Sequence, residues 1–386
     1  MASAQEDDAV NRLLQLQQQG QSVWYDNIHR HLLHSGELEQ MIKEDGLGGV
    51  TTNPTIFEKA ISSGDTYDTP IKALLKNNPS LGDRDLFDAL AIEDVQRAAD
   101  LFQETYETSD HVDGMVSIEV SPELAYDTDA TIPEANRLFQ TVNRPNCMIK
   151  VPATAEGLTA IEILISEGIN VNATLLFSVK RYRDVAESYI LGLEKRLRRG
   201  QPLQDIASVA SFFVSRVDTK VDDLLQECME KTGEDQQASI RPLLGRIAIA
   251  NAKMAYQAYL EIFGSERFAQ LKAAGARPQR LLWGSTGTKN PAYSDTLYID
   301  ELVGPHTVNT IPPATYQAFK DHGHPQRTLD RDVDEARQQL AALATLDIDL
   351  DAVTDVLEEE GVRQFADSYH SVIGVIGEKR RQLEQP

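Results

Sequence analysis

Eight short runs of apolar and β-branched residues recur along the chain, each ended by Pro, Gly, Asn, Asp or Ser and most followed by residues with helical spacing. In order they are SVWYDNI from Ser22, GVTTNPT from Gly49, GMVSIEV from Gly114 and CMIKVPAT from Cys147, then INVNATLLF from Ile169, SVASFFVSRV from Ser208, RLLWGST from Arg280 and TVNTIPP from Thr307. Runs of this length bounded by turn formers read as strands. Helical stretches fall at residues 36–44, 89–105, 133–141, 155–167, 179–199 and 217–263. Strands that alternate with helices pair in parallel, and eight such units close into a (β/α)8 TIM barrel, which occupies about 250 residues.

The chain has 386 residues, so the surplus falls in insertions and a tail. AIANAKMAYQAYLEIF has helical periodicity and forms a helical insertion before the seventh strand. From residue 332 onward, VDEARQQLAALATL and GVRQFADSYHSVIGVIGEKRRQL read as two further amphipathic helices, placed to cover one end of the barrel. We expect one domain over 1–386, with 332–386 a helical extension packed on the barrel.

Formal charge is −23, from 37 Lys and Arg against 60 Asp and Glu. That surplus repels nucleic-acid backbones and anionic membranes, so neither is an expected partner; an anionic metabolite can still be held by a few local cations. Cys147 and Cys228 form neither a CxxC pair nor a cluster, which argues against a disulfide framework or a structural zinc site. The N-terminal MASAQEDDAVNRLLQLQQQGQS is acidic where a signal peptide is basic, and no segment has about 18 uninterrupted apolar residues. The expectation is a soluble cytoplasmic protein, monomeric or homodimeric.

Active sites of such barrels form at the C-terminal ends of the strands, so polar residues interrupting the runs are the candidates. They are Asp26, Thr51, Thr52, Asn53, Glu119, Lys150, Asn172, Thr174, Ser211, Arg216, Ser285 and Lys289. Lys150 stands out between Ile149 and Val151. Apolar surroundings disfavour an ammonium, and a neutral amine can attack a carbonyl to give an imine, the electron sink needed to break or form an adjacent carbon–carbon bond. From the strand alone, snorkelling to solvent or a structural ion pair with Glu119 explains the lysine equally well.

Schiff-base chemistry also needs groups that move protons, and Glu119 and Asp26, on separate strands, suit that division of work. Carboxylates satisfied by backbone N–H groups or cations are the structural alternative. Arg216 and the stretch STGTK (Ser285 to Lys289) offer cations, hydroxyls and a glycine for an anion, and barrels often hold phosphate in loops after the last strands. A polar turn before a helix has the same composition. His29, His31 and His34 are spaced to point to different helix faces, against a metal site, and His322 and His324 read as a solvated loop. No dinucleotide fingerprint follows a strand.

Taken together, WYDNI, GGVTTNPTIFEKAI, VSIEVSPELAYDT, MIKVPAT, GINVNATLLFS, SFFVSRVD, WGSTGTKNPAY and TVNTIPPAT make the sequence similar to transaldolase, the class I Schiff-base enzyme family of the non-oxidative pentose phosphate pathway, in its longer bacterial form. The resemblance implies that Lys150 forms the imine and Asp26 handles the proton of the cleaved hydroxyl. Glu119, with Thr174 and a water, would shuttle protons during imine formation and hydrolysis. It also implies that Asn53, Asn172 and Ser211 hold the hydroxyls of a dihydroxyacetone unit, that Thr51 and Phe213 shape the pocket, and that Arg216, Ser285 and a second cation hold the phosphate of a phosphorylated sugar. The shorter form carries serine, an aromatic residue and arginine after the seventh strand; here Lys289 lies a few residues later and takes the place of that arginine. The implied chemistry needs no metal or organic cofactor.

Overall fold

A computed structural model describes residues 11–384; the acidic segment through residue 10, read above as unlike a signal peptide, lies outside the described residues. Eight parallel strands follow one another around a closed barrel, and the last pairs with the first. They are β1 Gln21–Tyr25, β2 Gly49–Val50, β3 Met115–Glu119, β4 Cys147–Pro152, β5 Val171–Leu176, β6 Ser208–Phe213, β7 Arg280–Gly284 and β8 Thr307–Ile311; each expected run holds one strand, except that β1 starts one residue before its run. Nearly every strand residue is buried. A parallel strand has helices on one face and the barrel interior on the other, which is why the runs read as continuously apolar rather than alternating.

β2 is two residues long. Gly49 passes so close to its neighbours that a Cβ would lie 2.6 Å from the Met115 carbonyl oxygen and 2.8 Å from the Trp24 ring. Three residues past the strand, Asn53 caps the helix Pro54–Ser62 through its Oδ1, which accepts from Ile56 N at 3.0 Å, with proline in the first turn. The helix Ala155–Glu167 has the expected limits because Thr154 caps its start and Gly168, at φ 96°, ends it.

The expected stretch 217–263 is broken. It comprises Ser215–Glu230, Glu234–Ile240, a 3₁₀ turn Arg241–Leu243 and Ile247–Phe263, interrupted at Gly233, Pro242 and Gly245, the last at φ 68°. The helices Arg30–His34, Pro54–Ser62, Asp68–Asn77, Glu266–Ala273, Leu297–Asp300 and Pro313–His322 are additions to the expected set. His322 thus ends a helix rather than lying in a loop, with His324 exposed just beyond it.

Of the two C-terminal helices, Val333–Thr345 packs beside Ile247–Phe263 on the flank of the barrel. The other, Leu350–Glu384, is longer than the periodic stretch predicts and crosses Pro54–Ser62, Asp83–Leu101, Ser215–Glu230 and the end of β5. Its buried stripe of Val362, Phe365, Tyr369, Val372 and Ile376 repeats every three to four residues, the spacing of one helix face. Burying side chains of this size contributes about 1.5–3 kcal/mol each. Gly361 lets the crossing close up, since a Cβ there would come within 3.0 Å of Leu175. Among the described residues, no helix is long and apolar enough to cross a membrane.

Candidate active site

Parallel register sets the first relationship at the mouth: Glu119 of β3 is the ladder partner of Lys150 of β4, and Lys150 is that of Asn172 of β5. Lys150 does not snorkel. It is 5% exposed, and its Nζ donates to the Thr52 carbonyl at 2.8 Å and lies 4.0 Å from Glu119 Oε1. The Phe365 ring, from the C-terminal helix, stands over it with its centroid 5.7 Å from Nζ.

The Glu119 side chain is buried to the same extent, and among the described residues neither of its carboxylate oxygens has a hydrogen-bond partner. Burial, opposed by the Lys150 charge and reinforced by the Asp26 charge, pushes its carboxyl up to about 7, where an acid exchanges protons readily at neutral pH. Asp26 follows β1 directly. Its N–H donates to the Ile311 carbonyl at 3.0 Å, and its Oδ1 accepts from Thr51 Oγ1 at 2.7 Å. Its carboxyl is also raised by burial, against the opposing influence of Lys150, Thr51 and Lys289. Thr51 Oγ1 in turn lies 2.6 Å from Thr310 Oγ1.

Thr174 presents a buried hydroxyl with no hydrogen-bond partner among the described residues. The next residue, Leu175, has φ 64°, and the β5–β6 register shifts between Ala173 and Leu176. A non-glycine residue in the left-handed region costs about 1–3 kcal/mol, so the strand bends beside the reactive groups at an energetic cost.

A cavity of about 780 Å³ opens above these residues, and every sequence-predicted site residue lines it except Thr52, Glu119 and Asn172. Glu119 faces a small adjoining space of about 30 Å³, which Asn53 also lines. Asn172 is wholly buried: its Oδ1 accepts from Ser211 Oγ at 2.6 Å and its Nδ2 donates to Ser117 Oγ at 3.1 Å. Phe213 lies beneath the Arg216 guanidinium, 5.4 Å away.

Arg216 opens the helix after β6. Among the described residues, Arg216, Lys289 and Lys59, all lining the cavity, have no carboxylate within salt-bridge distance. Ser285, at φ 54°, places its Oγ 2.9 Å from Ser215 Oγ. The other hydroxyls of STGTK donate to backbone carbonyls, Thr286 to that of Thr310 in the interior and Thr288 to that of Ser294 at the surface. The loop carrying Lys289 is tied down beyond it. Tyr293 OH donates to Asp222 at 2.7 Å and Tyr298 OH to Asp218 at 2.9 Å, and both aspartates stand one turn apart on the Arg216 helix. Asp218, which also accepts from Ala248 N at 2.6 Å, is pushed up to about 7 by burial.

Sequence reasoning passed over these anchors, although the i,i+4 pair in VDTKVDD was visible. It also passed over Phe365, for which there is no local signal because its position depends on a distant helix crossing. His29 is an N-cap, accepting from Leu32 N at 3.1 Å, rather than a residue within a helix. It stacks on His31 at 6.2 Å, and both line the cavity, whereas His34 turns to Arg97. Among the described residues, no three His, Cys, Asp or Glu side chains are grouped to hold a metal ion.

Fold and site define a class, a (β/α)8-barrel enzyme with a buried lysine and two carboxyl groups gathered at the mouth of the barrel. The chain belongs to the transaldolase/fructose-6-phosphate aldolase family, whose pattern matches residues 23–376. It is 45% identical over 377 residues to a transaldolase of Trichodesmium erythraeum, covering 97% of this chain and 99% of that one. It is 48% identical over 358 residues to a transaldolase of Thiobacillus denitrificans, covering 93% and 97%. With a transaldolase of Mycobacterium bovis it shares 47% over 356 residues, covering 92% and 93%.

Proposed function

We infer that the chain is a transaldolase. It moves a dihydroxyacetone unit from sedoheptulose 7-phosphate to glyceraldehyde 3-phosphate, giving erythrose 4-phosphate and fructose 6-phosphate. The observation that carries this reading is the buried Lys150 amine with Glu119 Oε1 4.0 Å away and Asp26 on the same cavity.

In this reading Lys150 adds to the ketose carbonyl, and Glu119, with the Thr174 hydroxyl and a water, moves the protons through carbinolamine and dehydration. Asp26 takes the proton of the hydroxyl next to the cleaved bond, and the protonated imine accepts the electron pair as that bond breaks. The aldose leaves, and the acceptor aldehyde reverses the steps. Ser211, fixed from below by Asn172, and Asn53 hold the hydroxyls of the three-carbon unit, while Thr51 positions Asp26 and Phe213 shapes the wall. Arg216, Ser285 and Lys289 hold the phosphate, an assignment supported by the absence of a carboxylate partner for either cation among the described residues. The barrel and the C-terminal helix work as one domain, since Phe365 completes the site. Cys147 and Cys228, both free, suit work in the cytoplasm, as monomer or homodimer.

The test is to incubate the protein with fructose 6-phosphate and borohydride and map the adduct by peptide mass. Label on Lys150 is expected, and a folded, substrate-saturated protein without it would overturn the imine mechanism. The family description also names fructose-6-phosphate aldolase, so a second assay separates the two activities. A transaldolase without acceptor releases little glyceraldehyde 3-phosphate beyond one turnover; sustained release would mark an aldolase.

A further inference from the structure

The C-terminal helix reaches the reactive amine through one side chain. Phe365 is the single residue of Leu350–Glu384 that lines the main cavity, it is 7% exposed, and its ring lies 5.7 Å from Lys150 Nζ. The helix is fastened on both sides of that point. Glu358 pairs with Arg181 at 3.0 Å, Glu360 with Lys220 at 3.1 Å, and Ser368 Oγ accepts from Thr55 Oγ1 at 2.8 Å. The ring is therefore held over the amine by both neighbouring turns.

We propose that Phe365 determines reaction specificity by covering the Lys150 adduct, keeping water from it until the acceptor aldehyde arrives, and so makes the site a transferase rather than an aldolase. The proposal rests on the imine mechanism above. Once the first aldose has left, a three-carbon enamine stays joined to Lys150, and two fates compete. Its carbon can attack the acceptor carbonyl, forming the new carbon–carbon bond. Alternatively that carbon takes a proton from solvent and water adds to the resulting iminium carbon; the carbon–nitrogen bond then breaks, giving free dihydroxyacetone and the free amine. The second route needs water at the nitrogen-bearing carbon, and an apolar ring packed over that position slows it. The ring face also suits the positive charge that the nitrogen carries in the protonated imine, before cleavage and again once the new bond has formed.

The experiment compares Phe365→Ala and Phe365→Leu with the unaltered protein. Two rates are read for each: dihydroxyacetone released from fructose 6-phosphate alone, and transfer to erythrose 4-phosphate. Borohydride labelling of Lys150 and thermal melting are followed in parallel. The alanine variant is expected to raise the release-to-transfer ratio at least about tenfold, while leucine, which keeps an apolar cover, stays within about twofold; both still label Lys150. If the alanine variant does not fold, Phe365→Val carries the same comparison. Release and transfer falling together at a constant ratio would overturn the proposal and leave Phe365 a packing residue. Leucine leaking as much as alanine would also overturn it. Failure of the unaltered protein to label at all would instead count against the imine reading itself.

Discussion

Glu119 and Lys150 are ladder partners on adjacent strands, yet Nζ stands 4.0 Å from Oε1 and spends its hydrogen bond on the Thr52 carbonyl at 2.8 Å. A structural ion pair would close that distance, and burying two charges without doing so is expensive. The gap leaves both groups free to exchange protons with a third species, and four expectations follow from this and neighbouring contacts.

Replacing Lys150 by Met keeps the volume and removes the buried amine. Transfer should fall by at least about 10⁴-fold, the scale seen when a nucleophile is deleted. Stability should change by less than about 1.5 kcal/mol, as for a volume-conserving substitution. Steady-state transfer and denaturant titration measure the two effects.

Glu119 ties stability to pH. Its folded carboxyl sits near 7 against an ordinary 4.5, so the folded state binds the extra proton between those values, and stability falls as pH rises through that window. Burial opposes the charge that must then form. Unfolding titrations should show the unaltered protein losing about 3 kcal/mol relative to Glu119→Gln as pH rises from 4.5 to 7; a constant difference across that range would contradict the assignment. The glutamine variant should also lose about 10²–10⁴-fold in rate.

Arg216→Ala should raise KM for fructose 6-phosphate by about 10- to 100-fold, the worth of one or two charge-assisted hydrogen bonds. Lys289→Ala, on an exposed side chain, should have a smaller effect of the same sign. Equal rises in KM for a substrate lacking phosphate would argue that these cations bind something other than the phosphate.

Tyr298→Phe leaves the buried Asp218 without one of its two hydrogen bonds, and an unsatisfied buried acceptor costs about 1–3 kcal/mol. Because Tyr298 anchors the segment that follows Lys289, KM for phosphorylated donors should rise while borohydride labelling of Lys150 at saturating substrate is unchanged. Melting temperature and KM together provide the check.

How much could be read in advance follows from which interactions are local. Each strand and its closing turn is encoded by a few consecutive residues, and so is the cap at Thr154. The candidates Asp26, Glu119, Lys150 and Thr174 were legible because a polar residue ending an apolar strand is conspicuous, and a barrel sends all such ends to one mouth. By contrast, the stretch 217–263 looked continuous because its helical composition outweighed the breaks at Gly233, Pro242 and Gly245, where the proline lacks a backbone donor and Gly245 takes a left-handed φ of 68°.

The eight strand–helix units, and with them the closed parallel barrel and the set of polar residues at its mouth, are written in short stretches of chain, since hydrophobic periodicity and turn chemistry are properties of neighbouring residues. Packing in three dimensions turns Lys150 inward to Thr52, sets Asn172 beneath Ser211 instead of in the cavity, puts His29 and His31 on one wall and brings Phe365 over the site. Those outcomes depend on strand register and on where a distant helix crosses the barrel, and both are set by the packing of residues far apart in the chain.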